Sequence, residues 1–252
     1  MHITINNQSK GKDKEKGKVK RVEVLDALRG IAILGMIFQH TLFDLRAIFG
    51  LQISLLSNPF LEGLFAFGGV FFIFLAGISV QFSSRNLLRG LQLIGVGMLL
   101  TLVTALFFPR ELIVFGILHF LGLAILIFGL LKSLLARVNQ LLVCVVSMIL
   151  FIVAYYVFTL NIRFEFFGSF LIGFPSREFW SADYFPLFPY IFAFLSGTGF
   201  GWYVANHKLP PLFYMIRVPV VGFVGKYSLW FYLFHQPVLL LILTAILFFI
   251  PK

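Results

Sequence analysis

Seven long apolar runs constrain this chain most, at about 26–48, 60–82, 90–108, 113–131, 138–158, 185–205 and 227–250. Each is about twenty residues, the length an α-helix needs to cross roughly 30 Å of hydrocarbon. Inside lipid every backbone N–H and C=O must be satisfied within the protein, so only helices and closed barrels span it. The runs are continuous rather than alternating, which argues against a barrel. The chain is therefore expected to be all-α, a polytopic transmembrane helical bundle of about seven spans. Composition agrees: 60% hydrophobic and 12% charged is outside the range of soluble domains.

Residues 1–21 are Lys- and Gly-rich and hold seven of the twenty Lys/Arg, between Lys10 and Arg21. They read as a disordered basic cytoplasmic tail, and residues 22–252 as the transmembrane domain. A basic segment just before a span is an anchor on anionic lipid, so the net charge of +10 does not point to nucleic acid. No cleavable signal peptide is expected, because the first apolar stretch is long and carries charges. With the N-terminus inside, fifteen Lys/Arg fall on the cytoplasmic side and five outside. That bias predicts a multi-pass cell-membrane protein with a cytoplasmic N-terminus. The lone Cys144 allows no intrachain disulfide and reads as a small core residue. Gly197, Gly199 and Gly201 suggest a tight helix contact. Residues 206–226 form an inner loop, part of which is expected to lie along the interface. Residues 159–184 form the longest outer loop, rich in Phe.

The first span carries Asp26, Arg29, His40 and Asp44. At about 100° per residue from Asp26, Arg29 falls near ~300°, His40 near ~320° and Asp44 back near ~0°. All four share one narrow stripe, and the lipid-compatible Ile31, Leu34, Ile37, Phe38 and Leu42 take up much of the rest. Ionisable groups in a bilayer cost roughly 2.5–3.5 kcal/mol each on insertion scales, so the stripe must face protein or a wet cavity. About 16.5 Å of helix rise separates Arg29 from His40, which places the two at different depths.

Three of the five histidines, His40, His119 and His235, fall within spans at compatible depths. They are expected to converge on one cavity. On the last span Ser228, Tyr232 and His235 share a face with Gln236 beside it. Pro237 leaves a backbone carbonyl unpaired near residue 233, which favours a polar site there.

Arg29-x10-His40 resembles the motif on the first helix of the membrane acyltransferase 3 family. LDALRGIAIL and MIFQH, together with FLAGIS (74–79), FGILHFLGL (115–123), DYFPLFPY (183–190) and YLFHQPVL (232–239), resemble the prokaryotic relatives of heparan-alpha-glucosaminide N-acetyltransferase. The resemblance implies transfer of an acyl group, usually acetyl, from coenzyme A to an amine or hydroxyl, commonly of a sugar. It implies acetyl-CoA as donor, without a metal. One departure stands out. The lysosomal member carries its active histidine in the stretch after the first helix, whereas residues 41–62 hold none.

Acyl transfer needs a base, and imidazole titrates near neutrality. His40 is the expected base, with Asp44 one turn on to orient it, and His119 and His235 completing the catalytic set. Coenzyme A phosphates need cations, for which Arg29, Arg85, Arg89 and Lys226 are the candidates. Ser228, Tyr232 and Gln236 are expected to line the same donor site. The expected partners are membrane lipid, coenzyme A and a sugar-type acceptor, with homo-oligomerisation left open. A transporter or flippase for a polar solute, using the stripe as a relay, is the second reading. A non-catalytic assembly factor is the third.

Overall fold

The computed structural model describes residues 22–249, and the basic tail 1–21 lies outside them. Among the described residues every regular element is helical. The long helices are α1 (Glu23–Phe49), α2 (Pro59–Ser79), α3 (Asn86–Phe107), α4 (Ile117–Leu135) and α5 (Gln140–Thr159). Then come the short α6 (Ser169–Ile172), α7 (Leu187–Ala205), the short α8 (Pro211–Met215) and α9 (Pro219–Lys226), and the final α10 (Ser228–Phe249).

Among the described residues six helices are long and apolar enough to cross a membrane: α1, α2, α3, α4, α5 and α10. The other expected span, α7, loses helical geometry at Phe188, beside Pro189, so its regular part is shorter. Sequence boundaries hold within a few residues, with two instructive shifts. The first span, expected from about residue 26, begins at Glu23 with Val22 at the cap, and Asp26 lies in its first turn, paired with Arg29. The fourth span begins at Ile117, because Phe115 takes a left-handed φ of 62° and Gly116 is extended. His119 thus lies in the first turn of α4.

The core is built on α4 and α7. Phe120, Phe128 and Phe194 are fully buried, with Ile73 of α2 packed among them. Lipid tails are as apolar as leucine, so tight backbone approach through small residues drives association here. A Cβ on Gly197 would lie 2.1 Å from the Phe74 carbonyl, and one on Gly77 2.1 Å from that of Phe194. A Cβ on Gly199 would lie 2.6 Å from the Cys144 backbone nitrogen of α5, and one on Gly201 2.8 Å from the Ile78 carbonyl of α2. Cys144 faces α7, its carbonyl accepting from Ser196 Oγ at 2.9 Å.

Residues 211–226 form two short helices with Leu212, Met215 and Val220 exposed, as an interfacial segment requires. α9 then packs on the start of α1, where a Cβ on Gly225 would lie 1.7 Å from the Asp26 carbonyl. This contact carries Lys226 to the Arg29 end of the stripe on α1.

Candidate functional site

The stripe on α1 faces inward as its periodicity requires. Asp26 and Asp44 are buried and Arg29 and His40 partly so, while Ile31, Leu34 and Phe38 are exposed; of the other residues expected to face lipid, Ile37 is half-buried and Leu42 is buried against protein. At the Arg29 end lies a cavity of about 660 Å³, within the size range of small-molecule sites. Arg29, Arg89 and Lys226 contribute three cations to its wall, and Ser79, Gln92 and Ser228 add polar groups. Arg29 is aimed by two neighbours: Nη1 donates to Asp26 Oδ1 and Nη2 to Ser79 Oγ. A guanidinium held this way loses little further freedom when it binds an anion. Lys226 Nζ sits 5.2 Å from the centroid of the Tyr227 ring. Arg85 is exposed just before α3 and lies outside the cavity wall.

Tyr232 closes the cavity on the α10 side and leads to the histidines. Its ring lies 6.0 Å from that of His235, whose ring is 4.9 Å from that of His40. His235 Nδ1 is 2.7 Å from the Tyr232 backbone carbonyl, which can only accept, so Nδ1 carries the proton. Nε2 therefore holds a lone pair, and it is buried without a hydrogen-bond partner. A buried, unpaired nitrogen costs stability unless function uses it. Asp44 is taken by Gln236, whose amide donates to both carboxylate oxygens at 3.0 Å. The carboxylate thus ties α1 to α10 beside the histidine pair.

His119 has other partners. Nδ1 accepts from the Gly116 N–H at 3.2 Å, which leaves Nε2–H for Thr101 Oγ at 3.2 Å. The first contact satisfies an amide at the start of α4, as a capping side chain does. Gly97 leaves room for the ring on α3. The structure therefore brings His40 and His235 together and seats His119 between α3 and α4.

Asp183, from the loop before α7, connects these parts. Its Oδ2 accepts from the Ile117 N–H at 2.9 Å and from the Tyr232 hydroxyl at 2.8 Å. Burial pushes its carboxyl above the usual range, opposed by the Ile117 N–H, the Tyr232 hydroxyl and nearby His235. Asp183, Ser79 and Gln92 were not among the site residues expected from sequence. A signal existed for two of them: Ser79 closes the FLAGIS block and Asp183 opens DYFPLFPY. Neither block reveals which distant side chain its polar residue meets.

The described residues thus form a polytopic helical protein with a cationic cavity at one end of a buried polar stripe and paired histidines toward the other. Over residues 21–237 the chain matches the family described as heparan-alpha-glucosaminide N-acetyltransferase, catalytic, and it belongs to that family. It is thus a multi-pass membrane transferase of the acetyltransferase type. No curated protein and no solved structure matches it. The matched stretch runs through Pro237 and includes every site residue described above.

Proposed function

We propose that this protein transfers an acetyl group from acetyl-CoA to an amine or hydroxyl of a sugar-type acceptor. The observation that carries the reading is the continuity of the site. Tyr232 belongs both to the wall of the cationic cavity and to the surroundings of His235. Arg29, Arg89 and Lys226 hold the phosphates of the donor, while Ser228 and Tyr232 guide its thioester arm toward the histidines. Arg85 gathers the donor from outside the cavity wall.

The donor supplies an activated acyl carbon. The His40–His235 pair supplies the base. His235 Nε2 has the lone pair available, and His40 lies beside it. The pair takes the proton from the acceptor nitrogen or oxygen as that atom bonds to the acyl carbon. The carbon–sulfur bond then breaks, and the same proton passes to the leaving thiolate. Asp44 and Gln236 hold α1 and α10 at the spacing this needs, and His119 fixes the start of α4 behind Tyr232. The Lys/Arg bias supports a cell-membrane orientation with the donor cavity cytoplasmic and the histidines in the outer half, which suits an acceptor on the far side.

The test is incubation of purified protein with radiolabelled acetyl-CoA and a panel of amino sugars, hydroxyl sugars and membrane extract. The expected result is a labelled acceptor with the native chain and none with His235→Gln. Equal labelling by both, or none by the native chain, overturns the proposal.

A further inference from the structure

We infer that Asp183 is a positioning residue for acyl transfer, acting through Tyr232 on His235; this rests on the acetyltransferase reading above. The need for such a residue begins in α10. Pro237 has no N–H to give the Leu233 carbonyl, so the helical ladder is weakened at the turn that carries His235 and Gln236. Two side-chain bonds brace that turn from outside the helix. Gln236 is tied to Asp44 of α1. Tyr232 is tied to Asp183, its hydroxyl donating at 2.8 Å.

Asp183 is itself firmly seated. The same Oδ2 accepts the Ile117 N–H, the Asp183 carbonyl accepts from Ser181 Oγ at 2.6 Å, and the Phe185 N–H donates to the Phe115 carbonyl at 3.1 Å. Gly116 permits the approach, since a Cβ there would lie 2.3 Å from Oδ2. The direction of Tyr232 is therefore referenced to the start of α4 and not to the weakened helix that bears it. Tyr232 passes this on in two ways: its backbone carbonyl orients the His235 ring, and its own ring packs against that of His235.

The connection is positional rather than a proton path. His235 Nδ1–H ends on a backbone carbonyl, which cannot take up a proton and hand it on, and the Tyr232 hydroxyl is at the far end of its ring. Loss of Asp183 should therefore loosen His235 while leaving the cavity's cations, Arg29, Arg89 and Lys226, in place.

The test combines Asp183→Ala, Asp183→Asn, Tyr232→Phe and the double variant Asp183→Ala/Tyr232→Phe. Turnover is measured with acetyl-CoA, and binding with coenzyme A by calorimetry. Each of Asp183→Ala and Tyr232→Phe should lower kcat about tenfold, the scale of one lost buried hydrogen bond, and in Asp183→Ala, which is outside the cavity wall, coenzyme A affinity should hold within about twofold. The double variant should be no worse than either single one, because both break the same bond. Asp183→Asn should keep kcat within about threefold, since its amide oxygen still accepts from Ile117 and Tyr232. A second readout needs no turnover: the rate of carbethoxylation of His235 by diethyl pyrocarbonate, followed by peptide mass spectrometry. It should shift several-fold in Asp183→Ala and Tyr232→Phe while that of His207 stays constant. Multiplicative losses in the double variant, or unchanged His235 reactivity in both single variants, overturn the inference. If Asp183→Ala does not fold, Tyr232→Phe, which removes a single oxygen, decides by the same two readouts. If the native chain transfers no acetyl group but His235 reactivity shifts as expected, Asp183 still positions His235 and only the assigned reaction fails.

Discussion

Half of the spanning window of α4 is buried against protein (50%), whereas only 6% of that of α10 is. α4 and α7 lie at the centre and are held by close backbone approach and interlocked aromatic side chains. α1 and α10, which carry both histidines of the pair, lie at the edge with most of their surface outward. α1 packs closely on α9, and specific polar bonds do the rest: Arg29 to Ser79 and Tyr232 to Asp183 tie the two helices to the bundle, and Asp44 to Gln236 ties them to each other. The contrast follows from lipid as a solvent. Apolar surface gains little by moving from lipid to protein, so a rigid centre must come from packing density. A peripheral helix can be held by a few hydrogen bonds, since a broken one finds no water to replace it. It follows that scaffold and site should fail differently when altered.

The largest effect is expected at the scaffold. Gly197→Leu forces a side chain into the carbonyl of Phe74 and should destabilise the fold by about 3 kcal/mol or more. Thermal unfolding in detergent checks this, and activity and stability should fall together. His40→Ala and His235→Ala should do the reverse. Each should lower turnover by roughly 10²–10⁴-fold, with the unfolding temperature nearly unchanged. Parallel rates and melting curves separate the two classes. A histidine variant that melts as early as Gly197→Leu would mean that the pair is structural.

A smaller effect is expected at the cavity. Arg29→Ala should weaken coenzyme A binding by about 1.5–3 kcal/mol, the scale of a charge-assisted hydrogen bond, with kcat less affected. Arg89→Ala and Lys226→Ala should cost less, because both side chains are less enclosed by the fold than that of Arg29. Arg85→Ala should cost least. Calorimetric titration with coenzyme A orders the four, and an Arg85 effect exceeding that of Arg29 would move the phosphate site out of the cavity. The smallest effect is expected for Gly68→Ala. Gly68 belongs to the same helix as Gly77, but a Cβ there meets nothing within 4 Å. Its melting temperature should match the native protein within about a degree or rise slightly, since alanine favours a helix by about 1 kcal/mol. A large loss would show that packing in α2 extends beyond its contact with α7.

Much of this protein follows from local pattern. Hydropathy and length mark the helices, because a span is a property of about twenty consecutive residues. Periodicity places Asp26, Arg29, His40 and Asp44 on one inward stripe, because the rotation per residue is constant along one helix. Pro237 marks the weak turn of α10 for the same reason. Partnership between helices is a different quantity, set by tilt, rotation and the path of loops, and no single segment encodes it. Similar depth makes His119 as eligible as His235 to meet His40. The left-handed turn at Phe115 starts α4 late and commits the His119 ring to Gly116 and Thr101, and only His235 reaches His40. Helical spacing offers Asp44 to His40, but the packing of α10 on α1 gives its carboxylate to Gln236. Asp183 lies in a loop between spans and acquires its place only where that loop folds back over the start of α4, within reach of Tyr232.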